Sequence, residues 1–255
     1  MLLLSTMRAK QLLTLTLSFL CVSTYAWATE TTNVTLLEHN AQLQYQEAVR
    51  LDQVLSDALK QTAIQKQTNT FDEGYRLFDT NKQEIADELY NSVVVRLKKL
   101  AEDDDDYSTA AEQLLQQIQS YQYAYRIVTS LDIDKVRLDL SRNPKMPGDY
   151  ELSLSVRPSV VNLAGLAVPK SVAFSSFYDV ANYLEQGKLI HQASQSFAWV
   201  IAPNGTTSKV GIAYWNNQHS HVIPGSIIFV GFDSSSSDLA DLEQDIISLL
   251  TMVKR

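Results

Sequence analysis

The 255-residue sequence is 45% hydrophobic and 20% charged, too apolar for a disordered chain and too short for more than one or two ordinary domains. Lys and Arg number 21 against 29 Asp and Glu, and the net charge of −8 argues against nucleic acid or an anionic membrane surface as the main partner. Eight glycines give phosphate-cradling loops little raw material, and a single cysteine excludes a disulfide framework or a cysteine-based metal cluster.

Residues 1–28 read as a secretory signal peptide. Arg8 and Lys10 supply a positive start, the run from Leu12 to Val22 is apolar, and Ala26-Trp27-Ala28 is an A-x-A cleavage site. The apolar run is too short to span a membrane, which takes roughly 20 residues. Cys21 is not read as a lipidation site, because Ser18-Phe19-Leu20 lacks the small residues expected before one. The mature chain then starts at Thr29, has no cysteine and carries a net charge of −10, since both removed charges are positive. An exported, cysteine-free chain fits the bacterial periplasm.

From Thr29 onward a weak duplication sets the architecture. A strand at Val34-Thr35-Leu36-Leu37 and a short stretch around Leu43 and Tyr45 precede a helix with Leu51, Val54, Leu55, Ala58 and Leu59 on one face. The second copy opens with strands over residues 160–168 and 172–174, then a helix carrying Phe177, Val180, Ala181 and Leu184, ended near Gly187. Pro147-Gly148 leads into a strand over 150–156 in the first copy, and Pro224-Gly225 into one over 227–232 in the second. Within the second copy, Pro203-Asn204-Gly205 joins strands over 197–202 and 209–215 as a hairpin.

The first copy is longer, and residues 79–122 account for nearly all of its excess. Ile85, Leu89, Val93, Leu97 and Leu100 form one helical stripe, and Leu114, Leu115, Ile118 and Tyr121 another. Thr80-x-x-Gln83 and Thr109-x-x-Glu112 read as capping boxes at their starts. The segment reads as an inserted helical hairpin whose stripes bury against each other, so that its removal leaves both copies able to fold. Strand-strand-helix-strand-strand is the order of a β-grasp unit. The fold class is therefore α+β: a first β-grasp domain over 29–157 with the insertion at 79–122, a second over 158–233, and a linker with a C-terminal amphipathic helix over 234–255. That helix aligns Leu239, Leu242, Ile246, Leu249, Leu250 and Val253, and its acids come early and Lys254 and Arg255 last, matching the helix dipole. Packing on its own domain and binding a partner are both open to it; its acidic polar face argues against a membrane.

The run from Trp199 to Gly205 (WVIAPNG), the run from Val210 to Asn216 (VGIAYWN) and the run from Ile223 to Phe232 (IPGSIIFVGF) resemble the GfcC family of periplasmic capsule-biosynthesis proteins. Val49 to Leu55 and the segment 132–158 also resemble it, so the likeness covers essentially the whole mature chain. The resemblance implies two β-grasp domains similar to the soluble domains of Wza-type export channels, the first with a helical insertion, and a C-terminal amphipathic helix. It implies a non-enzymatic accessory role in capsule or exopolysaccharide assembly or export, with the polysaccharide, an outer-membrane polysaccharide export channel, or both as partners, and no cofactor. The family's Gly-Arg pair after the insertion reads Tyr125-Arg126 here, which assigns its arginine to Arg126.

Tyr121, Tyr123 and Tyr125 alternate beside Arg126 and would share one face of a strand. Such a face suits sugar rings and uronate carboxylates, or else packs under the helices. Regular alternation points Arg126 to the other side, so a shared pocket requires a bulge or strand end near Tyr125, and a buried Arg126 requires a carboxylate. His219-Ser220-His221 would put two rings on one strand face, but without a third ligand they read as polar loop histidines rather than a metal site. The run Asp103 to Asp106 lacks calcium-loop spacing and reads as a solvated hairpin tip. No G-x-S-x-G or S-x-x-K motif supports a nucleophilic serine. The acid pairs Asp132/Asp134 and Asp139/Glu151 keep a polysaccharide hydrolase as the alternative.

Overall fold

The computed structural model describes residues 30–39, 41–64 and 71–254; the expected signal peptide lies outside the described residues. The first unit contains β1 (Thr32–Leu36), β2 (Ala41–Tyr45), α1 (Leu51–Ile64), β3 (Arg76–Asp79), α2 (Gln83–Asp103), α3 (Ser108–Gln119), β4 (Arg126–Ile127), α4 (Ile133–Leu138) and β5 (Gly148–Ser153). The second contains β6 (Val160–Gly165), β7 (Lys170–Ala173), α5 (Val180–Glu185), β8 (Phe197–Ile201), β9 (Thr207–Gly211) and β10 (Ile227–Val230), followed by α6 (Ser237–Thr251). No helix among the described residues is long and apolar enough to cross a membrane.

Each unit forms a five-stranded sheet, and the two share one topology: β2-β1-β5-β3-β4 and β7-β6-β10-β8-β9. In each, the first and last strands pair in parallel at the centre, Val34 opposite Tyr150 and Leu163 opposite Ile228. All other pairings are antiparallel. Parallel neighbours need a long crossover, and the helices between them supply it. Alternation along the strands assigns the faces. In the first sheet Val34, Leu36, Leu77 and Leu152 bury against Leu51, Val54 and Leu55 of α1. The opposite face carries Arg76, Glu151, Ser153 and Arg126, by the pairings Arg76–Ser153, Phe78–Glu151 and Phe78–Arg126.

The second sheet has two apolar faces. Val161, Ala198, Val200 and Ile228 meet Val180, Tyr183 and Leu184 of α5 on one side. The other side, with Ala164, Ile227 and Phe229, shares a single core with Val93, Leu97, Ala111, Leu114 and Ile118 of α2 and α3 and with Leu242 and Ile246 of α6. This corrects the expectation of a self-contained hairpin: the insertion leaves the first unit and roofs the second. A six-residue α5 covers only one face, so the other must be buried by helices from elsewhere. The C-terminal helix lies in the same roof, where Glu243 accepts from Trp199 Nε1 (2.7 Å) and from the Phe232 amide (3.0 Å).

Local corrections follow from capping chemistry. Neither expected capping box forms. Thr80 lies in a 3-10 turn capped by Asp79, and α3 starts at Ser108, after a turn in which Asp104 accepts from the Asp106 and Tyr107 amides. The box that does form is Asp179–Asn182, which starts α5 at Val180 and leaves Phe177 outside the helix and exposed. The strand expected over 209–215 is β9, which ends at Gly211, so Tyr214 and Trp215 fall in a loop. Helix α6 ends at Thr251. Lys254 therefore serves the first sheet instead of the helix end, pairing with Glu151 at 2.5 Å.

Candidate functional site

The last residues tie the two units together. The Ala124 amide donates to Met252 O (3.0 Å) and the Lys254 amide to Gln122 O (2.7 Å), which lays residues 252–254 along the segment that leads from the insertion to β4. Above this seam lies a cleft of about 270 Å³ lined by Arg76, Tyr121, Arg126, Ser155, Pro158 and Pro203 among others.

Arg126 sits on β4 and is 8% exposed. Its guanidinium donates to three carbonyls from three parts of the chain: Thr251 at the end of α6 (3.3 Å), Tyr75 before β3 (3.5 Å) and Pro203 in the β8–β9 turn. A cation at the last carbonyls of a helix complements its dipole, a role that the sequence pattern gave to Lys254 and Arg255. Gly205, at φ +89°, lets the turn close over the guanidinium: a Cβ there would lie 3.2 Å from Cζ of Arg126. The expected carboxylate partner is absent. Arg126 forms no ion pair among the described residues, and its Nε is buried without a hydrogen bond. Carbonyl dipoles take the carboxylate's place.

Arg76, on the same sheet face, escaped notice in the sequence because only the β3–β4 pairing brings it to Arg126. Its signal was a charge opening the short strand Arg76-Leu77-Phe78-Asp79. It donates to Val253 O (3.1 Å) and Ser153 Oγ (3.5 Å). Burial, and then the charge of Arg76, push Arg126 down to about 10. Burial also lowers Arg76, with Glu38 partly offsetting it. Two like charges thus share a poorly solvated cleft, and neither spends all five of its N–H donors. Among the described residues, no carboxylate lines the cleft.

The tyrosines are only partly gathered there. Tyr121 lines the cleft. Tyr123 turns to the insertion, donating from its hydroxyl to Ile118 O (2.9 Å) and packing on Tyr90 (5.7 Å between ring centroids) and edge-on to Tyr121 (6.4 Å). Tyr125 lies under Lys82, whose Nζ is 5.3 Å from the ring centroid. The strand is two residues long and begins at Arg126, so the three rings diverge.

The remaining candidates have structural occupations. His219, at φ +47°, bonds Asp179, and His221 Nδ1 meets Tyr178 O at 3.1 Å, so they are loop residues and not a strand pair. No group of three His, Cys, Asp or Glu able to hold a metal ion occurs among the described residues. Asp132 caps α4 and pairs with Lys135, Asp139 caps a 3-10 turn and pairs with Arg142, and Glu151 holds Lys254. A second, polar cleft across the 203–206 turn contains Glu73, Asp132 and Lys135, and there the opposite charges already face one another.

Comparison with known proteins converges with this layout. A protein of Escherichia coli (strain K12) described as "Uncharacterized protein YjbG" is 40% identical over 179 residues, covering 66% of this chain and 73% of that one. Residues 28–157 match the family described as "Capsule biosynthesis GfcC, N-terminal" and residues 168–253 match "Capsule biosynthesis GfcC C-terminal". The duplicated chain, from its first sheet to its final helix, belongs to the GfcC family of capsule-biosynthesis proteins.

Proposed function

We propose that the protein is a non-enzymatic periplasmic accessory component of capsule or exopolysaccharide assembly or export, and that it binds an acidic segment of the polysaccharide in the Arg76–Arg126 cleft. The observation that carries this reading is the pair of guanidiniums in one desolvated cleft without an ion-paired carboxylate. A uronate or other anionic sugar substituent relieves the repulsion between them and takes up unused N–H donors in charge-assisted bonds. Tyr121 and Pro158 offer apolar ring faces beside the charge. A hydrolase reading finds less support, because general acid–base cleavage of a glycosidic bond requires carboxyl groups and none lines the cleft.

The two units are β-grasp domains on this reading. The support is their shared strand order with a helix crossing over a mixed sheet. Kinship with the soluble domains of Wza-type channels, and work beside an outer-membrane polysaccharide export channel, belong to the same proposal. Arg76→Gln tests it. Cells producing the variant at the parent level, with an unchanged melting temperature, should lose surface polysaccharide; undiminished polysaccharide overturns the cleft's role.

A further inference from the structure

We propose that Tyr214 and Trp215, on the loop after β9, form a second sugar contact, a stacking platform for uncharged pyranose rings of the same polymer. The proposal rests on the reading that the ligand is a polysaccharide. It concerns a site of different chemistry in the second unit.

Tyr214 is fully exposed and Trp215 is 76% exposed. Single exposed apolar residues need no explanation, but two adjacent large aromatics held out by a braced loop do. The bracing is dense. Asn216 closes the turn, its amide donating to Ala213 O (3.0 Å) and its Oδ1 accepting from the Ala213 amide (2.9 Å). Its Nδ2 donates to Ser196 O (3.0 Å), and the Gln218 amide donates to Gly211 O (3.3 Å). Asn216 packs so closely on Gly211 that a Cβ there would lie 2.2 Å from Asn216 O. At the far end, His219 Nδ1 and Asp179 Oδ2 are 2.9 Å apart and His221 is bridged to Asp179, which ties the loop to a segment whose Phe177 is also exposed. The rings therefore stand on a preorganised backbone, and a ligand meets little ordering cost.

The surroundings select the occupant. From Ile212 to Ile223 the loop contains no Asp, Glu, Lys or Arg, only aromatics, amides, histidines, a serine and aliphatics. A membrane-surface anchor of this kind draws on Lys and Arg for anionic lipid, and a protein hot spot is enriched in arginine as well as aromatics. Flat apolar rings with an uncharged hydrogen-bonding rim match the alternating C–H faces and hydroxyl edges of a neutral pyranose. Anionic residues would go to the arginine cleft and neutral ones to this tip, so that one polymer engages both sites and gains avidity.

The test uses the mature chain, with the exopolysaccharide purified from the producing cell and its carboxyl-reduced form as probes. Acrylamide quenching reports on Trp215, since the only other tryptophan after residue 28, Trp199, is partly buried beside Glu243. Both polymers are expected to shield Trp215. Tyr214→Ala/Trp215→Ala should keep its melting temperature and bind the carboxyl-reduced polymer about tenfold more weakly, a loss of roughly 1.4 kcal/mol. Binding that depends on Arg76 while Trp215 stays fully quenchable, or the same affinity in the double variant, overturns this proposal and spares the cleft. A chain that binds neither polymer overturns both. Shielding by phosphatidylethanolamine/phosphatidylglycerol vesicles but not by polymer overturns it in favour of a membrane contact.

Discussion

Gln117 and Gly165 bond to each other twice: the glutamine Oε1 accepts from the glycine amide at 2.9 Å, and its Nε2 donates to the glycine carbonyl at 2.7 Å. One side chain from the insertion thus satisfies both backbone groups at the end of β6, as a neighbouring strand would. Gln113 adds a bond to the same carbonyl (2.9 Å) and another to Ala167 O (3.1 Å). Gln117→Ala should cost about 1–3 kcal/mol, the usual penalty for stripping partners from shielded backbone groups. Urea unfolding measures it, and a change below a few tenths of a kcal/mol would mean that water replaces the amide.

Replacing residues 83–119 by a short Gly/Ser loop should abolish cooperative unfolding or solubility, because Ala164, Ile227 and Phe229 lose their cover. Within the intact chain, Leu97→Ala, at a fully buried position, should cost about 2–5 kcal/mol. Differential scanning calorimetry separates the outcomes; a loop variant with a single sharp transition near that of the parent would restore the self-contained hairpin expected from sequence.

Arg126→Lys should lower the melting temperature, since an ammonium cannot span the Thr251, Tyr75 and Pro203 carbonyls as the planar fork does. The expected cost is about 1–3 kcal/mol. Arg76→Lys, with two bonds from the side chain, should cost less. Equal, negligible losses in the two variants would show that the carbonyl staples contribute little.

Asp179→Ala should cost about 1 kcal/mol at neutral pH through loss of the α5 capping box. Burial alone would raise the Asp179 carboxyl, but the Asn182 amide, His219 and Asn217 together hold it below the ordinary carboxylate range. A depressed folded-state value contributes stability that is complete above the unfolded value, about 3.9, and is lost as pH falls through the folded one. The gap between parent and variant should therefore narrow below about pH 4. A gap that widens in acid would contradict the assignment.

The duplication was legible because each copy repeats two strong local signals, Pro-Gly before the last strand and an apolar helix face after the second, and the second copy adds Asn204-Gly205 at a hairpin. Those signals act over a few residues. What covers what was not legible, since the stripe Val93-Leu97 and the stripe Leu114-Ile118 are equally compatible with packing on each other or on a distant sheet. The site divides in the same way. Arg126 was visible through the resemblance, whereas Arg76, 50 residues earlier, joins it only through strand pairing. The alternation of Tyr121, Tyr123 and Tyr125 suggested one face, but the strand begins only at Arg126 and neighbouring side chains draw the rings apart.

If Arg76 and Arg126 together bind a carboxylate of the polymer, a chemical double-mutant cycle reveals the coupling. Isothermal titration calorimetry of the mature chain and of Arg76→Gln, each with native and carboxyl-reduced exopolysaccharide, gives four affinities and one coupling term. Carboxyl reduction should weaken binding to the parent by about tenfold or more and barely alter binding to Arg76→Gln. Equal losses in the two proteins would mean that the carboxylates are bound elsewhere, and would contradict binding in the cleft.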